Sequence, residues 1–293
     1  MNKNIGFYKD LKNIIKQNIL DIPIEHIDKM YETWHHNQDS SFAINNFVYD
    51  DKFIHKNQNI PENATRKGID LPSWFGDYNT EGKKIIILGI DPLRSVNSFE
   101  YEFQNLTTSQ VQNADVNTQV TIGTPYALHE KDTRENRFCI GYWTLVNKLK
   151  KEGNFVYCTD IFKTYYHNNS TKTRSYLDKE FVDNSNHREI LISEFELINP
   201  DLIIIFGKIA HKMLLKRNSP KIGQNILKTK TSVIVNNKST DVFTIMHLSK
   251  GTRGKNFKTF FNSNNIDISS MDVENRKDCA EKYVEMFQKL EII

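Results

Sequence analysis

Apolar residues recur at near-helical spacing early in the chain, where Leu11, Ile14, Ile15, Ile19 and Leu20 alternate with lysines and asparagines. That spacing gathers one apolar stripe on one side of an amphipathic helix. A second helix is expected from about Glu25 to Trp34. Residues 57–68, with Pro61 ahead of Glu62 and Asn63, are polar and read as a loop. The loop leads to the apolar cluster Leu71, Trp74 and Phe75, where the main domain is expected to start.

From Lys83 onward the pattern becomes one of alternating strands and helices. Four short runs, KIIILGI (84–90), FVYCTD (155–160), DLIIIFG (201–207) and VFTIMH (242–247), are β-branched or aromatic and bounded by polar residues or glycine. Such runs read as buried parallel strands. Helical patterns lie between and after them at Phe138–Lys151, Arg188–Ile198, Lys208–Arg217 and Val273–Leu290. The alternation predicts a doubly wound, three-layer α/β/α domain over 71–293 with a central, mainly parallel four-stranded sheet. Residues 1–70 form an N-terminal helical extension. TSVIVNNKSTDVF adds a hairpin strand before the last run, and the Asn-, Gln- and Thr-rich stretch Ser98–Asn117 reads as a long loop over the sheet edge.

Composition narrows the function classes. Lysine plus arginine (39) against aspartate plus glutamate (36) leaves a net charge of +3, so any nucleic-acid footprint must be local. No window supplies the run of roughly 18 apolar residues that a membrane helix needs, and MNKNIGFYKD lacks a secretory apolar stretch, so a cytoplasmic protein without membrane contact is expected. Cys139, Cys158 and Cys279 are too few and too widely spaced for a disulfide framework or a four-cysteine metal site. His35 and His36 do not share a helix face, and no ligand spacing completes them. His129, His167, His187 and His211 read as structural or surface residues. Phosphate-binding glycine loops are absent. No metal and no cofactor is expected, and the chain is read as a monomer.

In an open parallel sheet, ligands sit beyond the carboxyl ends of the strands. Those ends carry Gly89-Ile90-Asp91-Pro92, Thr159-Asp160, Gly207-Lys208 and His247-Leu248-Ser249. Alone, an Asp before Pro is a turn former and a histidine at a strand end is a structural residue. Together, a carboxylate and an imidazole facing one cavity can activate water and stabilise an anion.

GIDP after the first core strand and HLS after the last resemble the two active-site motifs, commonly GQDP and HPS, of the uracil-DNA glycosylase superfamily. INPDLIIIFGKIAHKMLL (198–215) and YCTDIFK are similar to further segments of that family, in the family's order, and the resemblance spans roughly Leu71 to Phe260. It implies a DNA glycosylase that hydrolyses the N-glycosidic bond of a flipped base. Asp91 would then activate water and stabilise the cationic sugar, while His247 hydrogen-bonds the departing base. Tyr126, after Thr124-Pro125, is the candidate to stack on the base, the other reading being a core tyrosine. Ile90 would contribute to base binding through its backbone.

Asp160 departs from the family's common asparagine. An ionised carboxylate only accepts hydrogen bonds, so it suits an exocyclic amine, as on cytosine or a modified cytosine, better than uracil. A protonated Asp160, or one with only a structural capping role, are the alternatives. The loop Lys250-Gly251-Thr252-Arg253-Gly254-Lys255 and Ser249 are candidates for gripping DNA phosphates, as are Arg94 and Ser95, with Leu248 the one apolar wedge candidate. A glycosylase-like binding protein without catalysis, docking a protein partner through its N-terminal helices, is the main rival reading. A hydrolase of free nucleosides is the third.

Overall fold

A computed structural model describes residues 5–36, 47–90, 118–129, 134–135, 139–168, 177–215, 231–249 and 252–293. The first half carries α1 (Ile5–Asn18), α2 (Ile24–His36), β1 (Phe47–Asp50), β2 (Ala64–Asp70), β3 (Ser73–Phe75), β4 (Lys84–Gly89), β5 (Gln119–Gly123) and α3 (Ile140–Lys151). There follow β6 (Phe155–Asp160), β7 (Thr164–Asn168), α4 (Lys179–Asn184), α5 (His187–Ile198), β8 (Leu202–Phe206) and α6 (Gly207–Leu215). The chain closes with β9 (Thr231–Val235), β10 (Lys238–Ile245), α7 (Gly254–Ser263) and α8 (Arg276–Lys289).

The four expected strands form the parallel centre of a six-stranded sheet ordered β3-β6-β4-β8-β10-β9. Antiparallel β3 and β9 close its two edges, β9 being the expected hairpin strand. Register aligns the carboxyl ends: Gly89 is paired with Asp160, and Phe206 with Ile245. One rim therefore collects the ends of all four parallel strands.

Side chains alternate across the strands, and two cores result. On one face Ile86, Leu88, Tyr157 and Ile205 pack against α1, α2 and α5. On the other, Ile85, Ile87, Cys158 and Ile245 pack against α3, α7 and α8. The stripe predicted for α1 is the buried one: Leu11, Ile15 and Ile19 are fully enclosed, each worth about 1.5–3 kcal/mol of burial. Phe7 and Tyr31 extend this contact to Trp74 of β3, and the Tyr31 hydroxyl donates to the Pro72 carbonyl at 2.8 Å. The apolar faces of both N-terminal helices are thus turned inward. Among the described residues no helix is long and apolar enough to cross a membrane.

A second sheet, β1-β5-β2-β7, lies outside the sequence expectation. Its central strand β2 replaces the end of the polar stretch read as a loop. Hydrophobic patterning misses it because its polar residues are buried by pairing. The Lys67 ammonium meets the Asp51 carboxylate at 2.6 Å, and the Thr65 hydroxyl donates to the His167 carbonyl. Backbone bonds from Asp70 N–H to the Lys163 carbonyl and from Leu71 N–H to the Gly123 carbonyl extend its β2–β7 and β2–β5 ladders, while Ile161 N–H to the Gly89 carbonyl fastens the β6–β7 link to the rim of the larger sheet. The loop expected over 98–117 lies outside the described residues.

Candidate active site

The site begins with a missing side chain. A Cβ on Gly89 would overlap Oδ1 of Asp160 and stand 2.8 Å from the Tyr126 hydroxyl. Glycine at the end of β4 therefore lets the last residue of β6 lay its carboxylate across the neighbouring strand. Asp160 is 3% exposed. Its backbone is fixed too, since Lys163 Nζ donates to the Asp160 carbonyl at 2.6 Å and is itself paired with Glu194 of α5 at 2.7 Å. Gly89→Ala is expected to keep the fold, because the obstructed atom ends a side chain, while displacing the carboxylate. Unchanged thermal stability with at least tenfold lower turnover would bear this out, and unchanged turnover would detach Asp160 from the chemistry.

Tyr126 enters from a short turn, Pro125–Ala127, in the left-handed region at φ 59°. For a non-glycine residue this costs about 1–3 kcal/mol, a conformation the surrounding packing must enforce. Its ring stacks on Tyr142 of α3 with centroids 4.0 Å apart and planes 11° from parallel, and meets Phe206 edge-on at 5.7 Å. The Tyr126 hydroxyl is buried with no hydrogen-bond partner among the described residues. Burial first, then the Asp160 charge, push its pKa well above the ordinary tyrosine value, so it stays a neutral phenol able to donate.

His247 follows β10 by two residues. The Ser249 backbone N–H donates to its Nδ1 at 3.3 Å, the Tyr142 hydroxyl bonds the same nitrogen, and the Thr252 hydroxyl donates to its carbonyl at 2.6 Å. Its ring stands edge-on to Tyr142 at 5.4 Å and at 6.3 Å from Tyr126. Arg276, at the start of α8, braces the loop from below by donating to the carbonyls of Ser249 at 3.2 Å and Thr252. Met246 N–H donates to Tyr283 of the same helix at 3.0 Å.

Of the expected site residues, Asp160, Tyr126 and His247 come together around the Tyr142 and Phe206 rings. Ile90 is half-buried at the same rim, and its carbonyl accepts from Phe162 N–H at 2.9 Å. Ser249 anchors the histidine, while Arg253 and Lys255 are exposed beside it. The basic loop is shorter than expected, because α7 already begins at Gly254 and places Lys255 in its first turn. Leu248 is fully buried in the core and presents no wedge. Asp91, Arg94, Ser95 and Lys250 lie outside the described residues. Tyr142, Phe206, Lys163 and Arg276 escape sequence reading, since a tyrosine on the apolar face of α3 or a phenylalanine ending β8 is indistinguishable from core; Gly89 is legible as the start of GIDP, but not as the gap that admits Asp160. Among the described residues no three His, Cys, Asp or Glu side chains converge as metal ligands would.

The arrangement offers a planar aromatic surface, a carboxylate acceptor beside a neutral phenol, and an imidazole at a separate edge. Such a set of groups complements a flat heterocycle read along its edge. A family description, Uracil DNA glycosylase superfamily, matches residues 75–267, about two thirds of the chain. No curated protein matches it. Members of that superfamily are in general hydrolases that act on DNA as glycosylases. The match takes in β4, Tyr126, Asp160 and His247 and stops short of α8. The chain belongs to the uracil DNA glycosylase superfamily.

Proposed function

We propose that this protein is a DNA glycosylase that hydrolyses the N-glycosidic bond of a flipped base carrying an exocyclic amine, such as cytosine or a modified cytosine. The observation that carries the reading is the buried Asp160 carboxylate laid over Gly89, with the Tyr126 phenol beside it and His247 across the ring pair. A carboxylate accepts a hydrogen of an amine, while a uracil carbonyl in its place offers it none and sets acceptor against acceptor. The tyrosine pair supplies the stacking surface, worth about 1–3 kcal/mol per base.

Cleavage breaks the bond between C1′ and the base nitrogen, with the electron pair leaving on the base. Asp91 takes the proton of the water that bonds C1′ and offsets the positive charge of the sugar, and the His247 imidazole donates to the anionic base. The products are an abasic site and the free base. Arg253 and Lys255, with Ser249, Lys250, Arg94 and Ser95, contact DNA phosphates.

Asp160→Asn tests the specificity. An amide can both donate to and accept from the uracil edge, so this variant is expected to gain excision of uracil from DNA and lose excision of the amino-bearing base. No gain on any uracil oligonucleotide would remove Asp160 from base recognition.

A further inference from the structure

We infer that Tyr142 is a positioning residue that holds His247 as the neutral imidazole with its proton on Nε2, aimed at the departing base. The inference rests on the role proposed for His247 and starts from the geometry at one nitrogen. Nδ1 has a single in-plane lone pair, and the Ser249 backbone N–H directed at it from 3.3 Å can only donate. Nδ1 is therefore an acceptor, and in a neutral ring the proton resides on Nε2. The Tyr142 hydroxyl reaches the same Nδ1, and stands farther, at 3.4 Å, from Nε2. Burial keeps that phenol protonated, so it donates as well.

The single lone pair is taken mainly by the phenol, because the Ser249 N–H at 3.3 Å is a long bond, so Tyr142 carries the choice of tautomer and ring orientation. Moving the proton to Nδ1 would set it against the Ser249 N–H and forfeit the phenol bond. Turning the ring over would put carbon where Nδ1 stands. Ser249 belongs to the histidine's own loop and moves with it, whereas Tyr142 is anchored independently: it sits in the first turn of α3, buried, stacked on Tyr126 at 4.0 Å and edge-on to Phe206 at 5.1 Å. The side chain that backs the base-stacking tyrosine is thus also the one that aims the imidazole. A core tyrosine needed only for packing would do as well as phenylalanine, and that difference makes the inference testable.

The variant is Tyr142→Phe, which keeps the ring, its stacking and its burial. Imidazole nitrogen shifts would be recorded by NMR on the full chain labelled with 15N-histidine, with His247→Gln identifying the His247 signals. In the wild type a single Nε2–H tautomer is expected. In Tyr142→Phe a mixture of tautomers is expected, with kcat about tenfold lower on whichever oligonucleotide the wild type cleaves and KM unchanged. A wild-type ring in the Nδ1–H form, an unaltered tautomer in the variant, or an unaltered kcat would each overturn the inference. A wild type that cleaves nothing would defeat the proposed function instead, and the nitrogen shifts would still decide whether Tyr142 fixes the ring.

Discussion

Replacing His247 by alanine is expected to lower base excision by about 10²–10³, the usual cost of removing one preorganised donor to a developing anion. The expectation follows from where the ring is held. Its backbone is clamped by Thr252 and, through the neighbouring carbonyls, by Arg276, so the loop does not depend on the imidazole. The exposed Arg253 and Lys255 remain in place for phosphate contact. DNA affinity should therefore change little while single-turnover excision collapses. Equal losses in binding and cleavage would mean that His247 holds DNA rather than stabilising the leaving base.

The largest effect on stability is expected at Lys163, which lies with Glu194 wholly out of solvent. Its ammonium serves Glu194, the Thr159 hydroxyl and the Asp160 carbonyl at once. Lys163→Met would strand the Glu194 carboxylate in the core, at a cost of about 3–5 kcal/mol. Burial already raises the Glu194 pKa against the opposing pull of Lys163. An acid raised in the folded state binds its proton more tightly folded than unfolded, so its stability contribution falls as pH rises through the unfolded and then the folded pKa. Without Lys163 the rise is larger, and the loss should be smaller near pH 4.5 than near pH 7. Lys163→Met combined with Glu194→Leu should recover most of it. Chemical denaturation at the two pH values checks both statements, and an equal loss at each would show that Glu194 is not the stranded charge.

The parallel centre of the fold was legible because β4, β6, β8 and the second half of β10 are buried on both faces and therefore read as mainly apolar runs. The second sheet was not. β2 and β7 carry Thr65, Lys67 and His167 in buried positions made tolerable by partners distant in sequence, and periodicity is blind to such partners. In the site, Asp160, Tyr126 and His247 stand out because they end strands or follow turns where ligands gather. Tyr142 and Arg276 act through a hydroxyl and a guanidinium that reach the site from helices packed on its far side. Only the spatial pairing of α3 and α8 with the β10 loop reveals them. The basic stretch read as a loop through Lys255 ends sooner than expected, because Gly254 opens a helix. Gly254 N–H donates to Glu274 at 3.0 Å, a partner twenty residues away.

The central claim is tested most directly by incubating the protein with single- and double-stranded oligonucleotides carrying cytosine, modified cytosines, uracil or hypoxanthine, then opening abasic sites with alkali. The account predicts strand cleavage at an amino-bearing base, absent in both Asp91→Asn and His247→Ala, with DNA binding retained in each. Salt-sensitive binding without cleavage of any base would contradict it and leave a glycosylase fold that recognises DNA without cutting it.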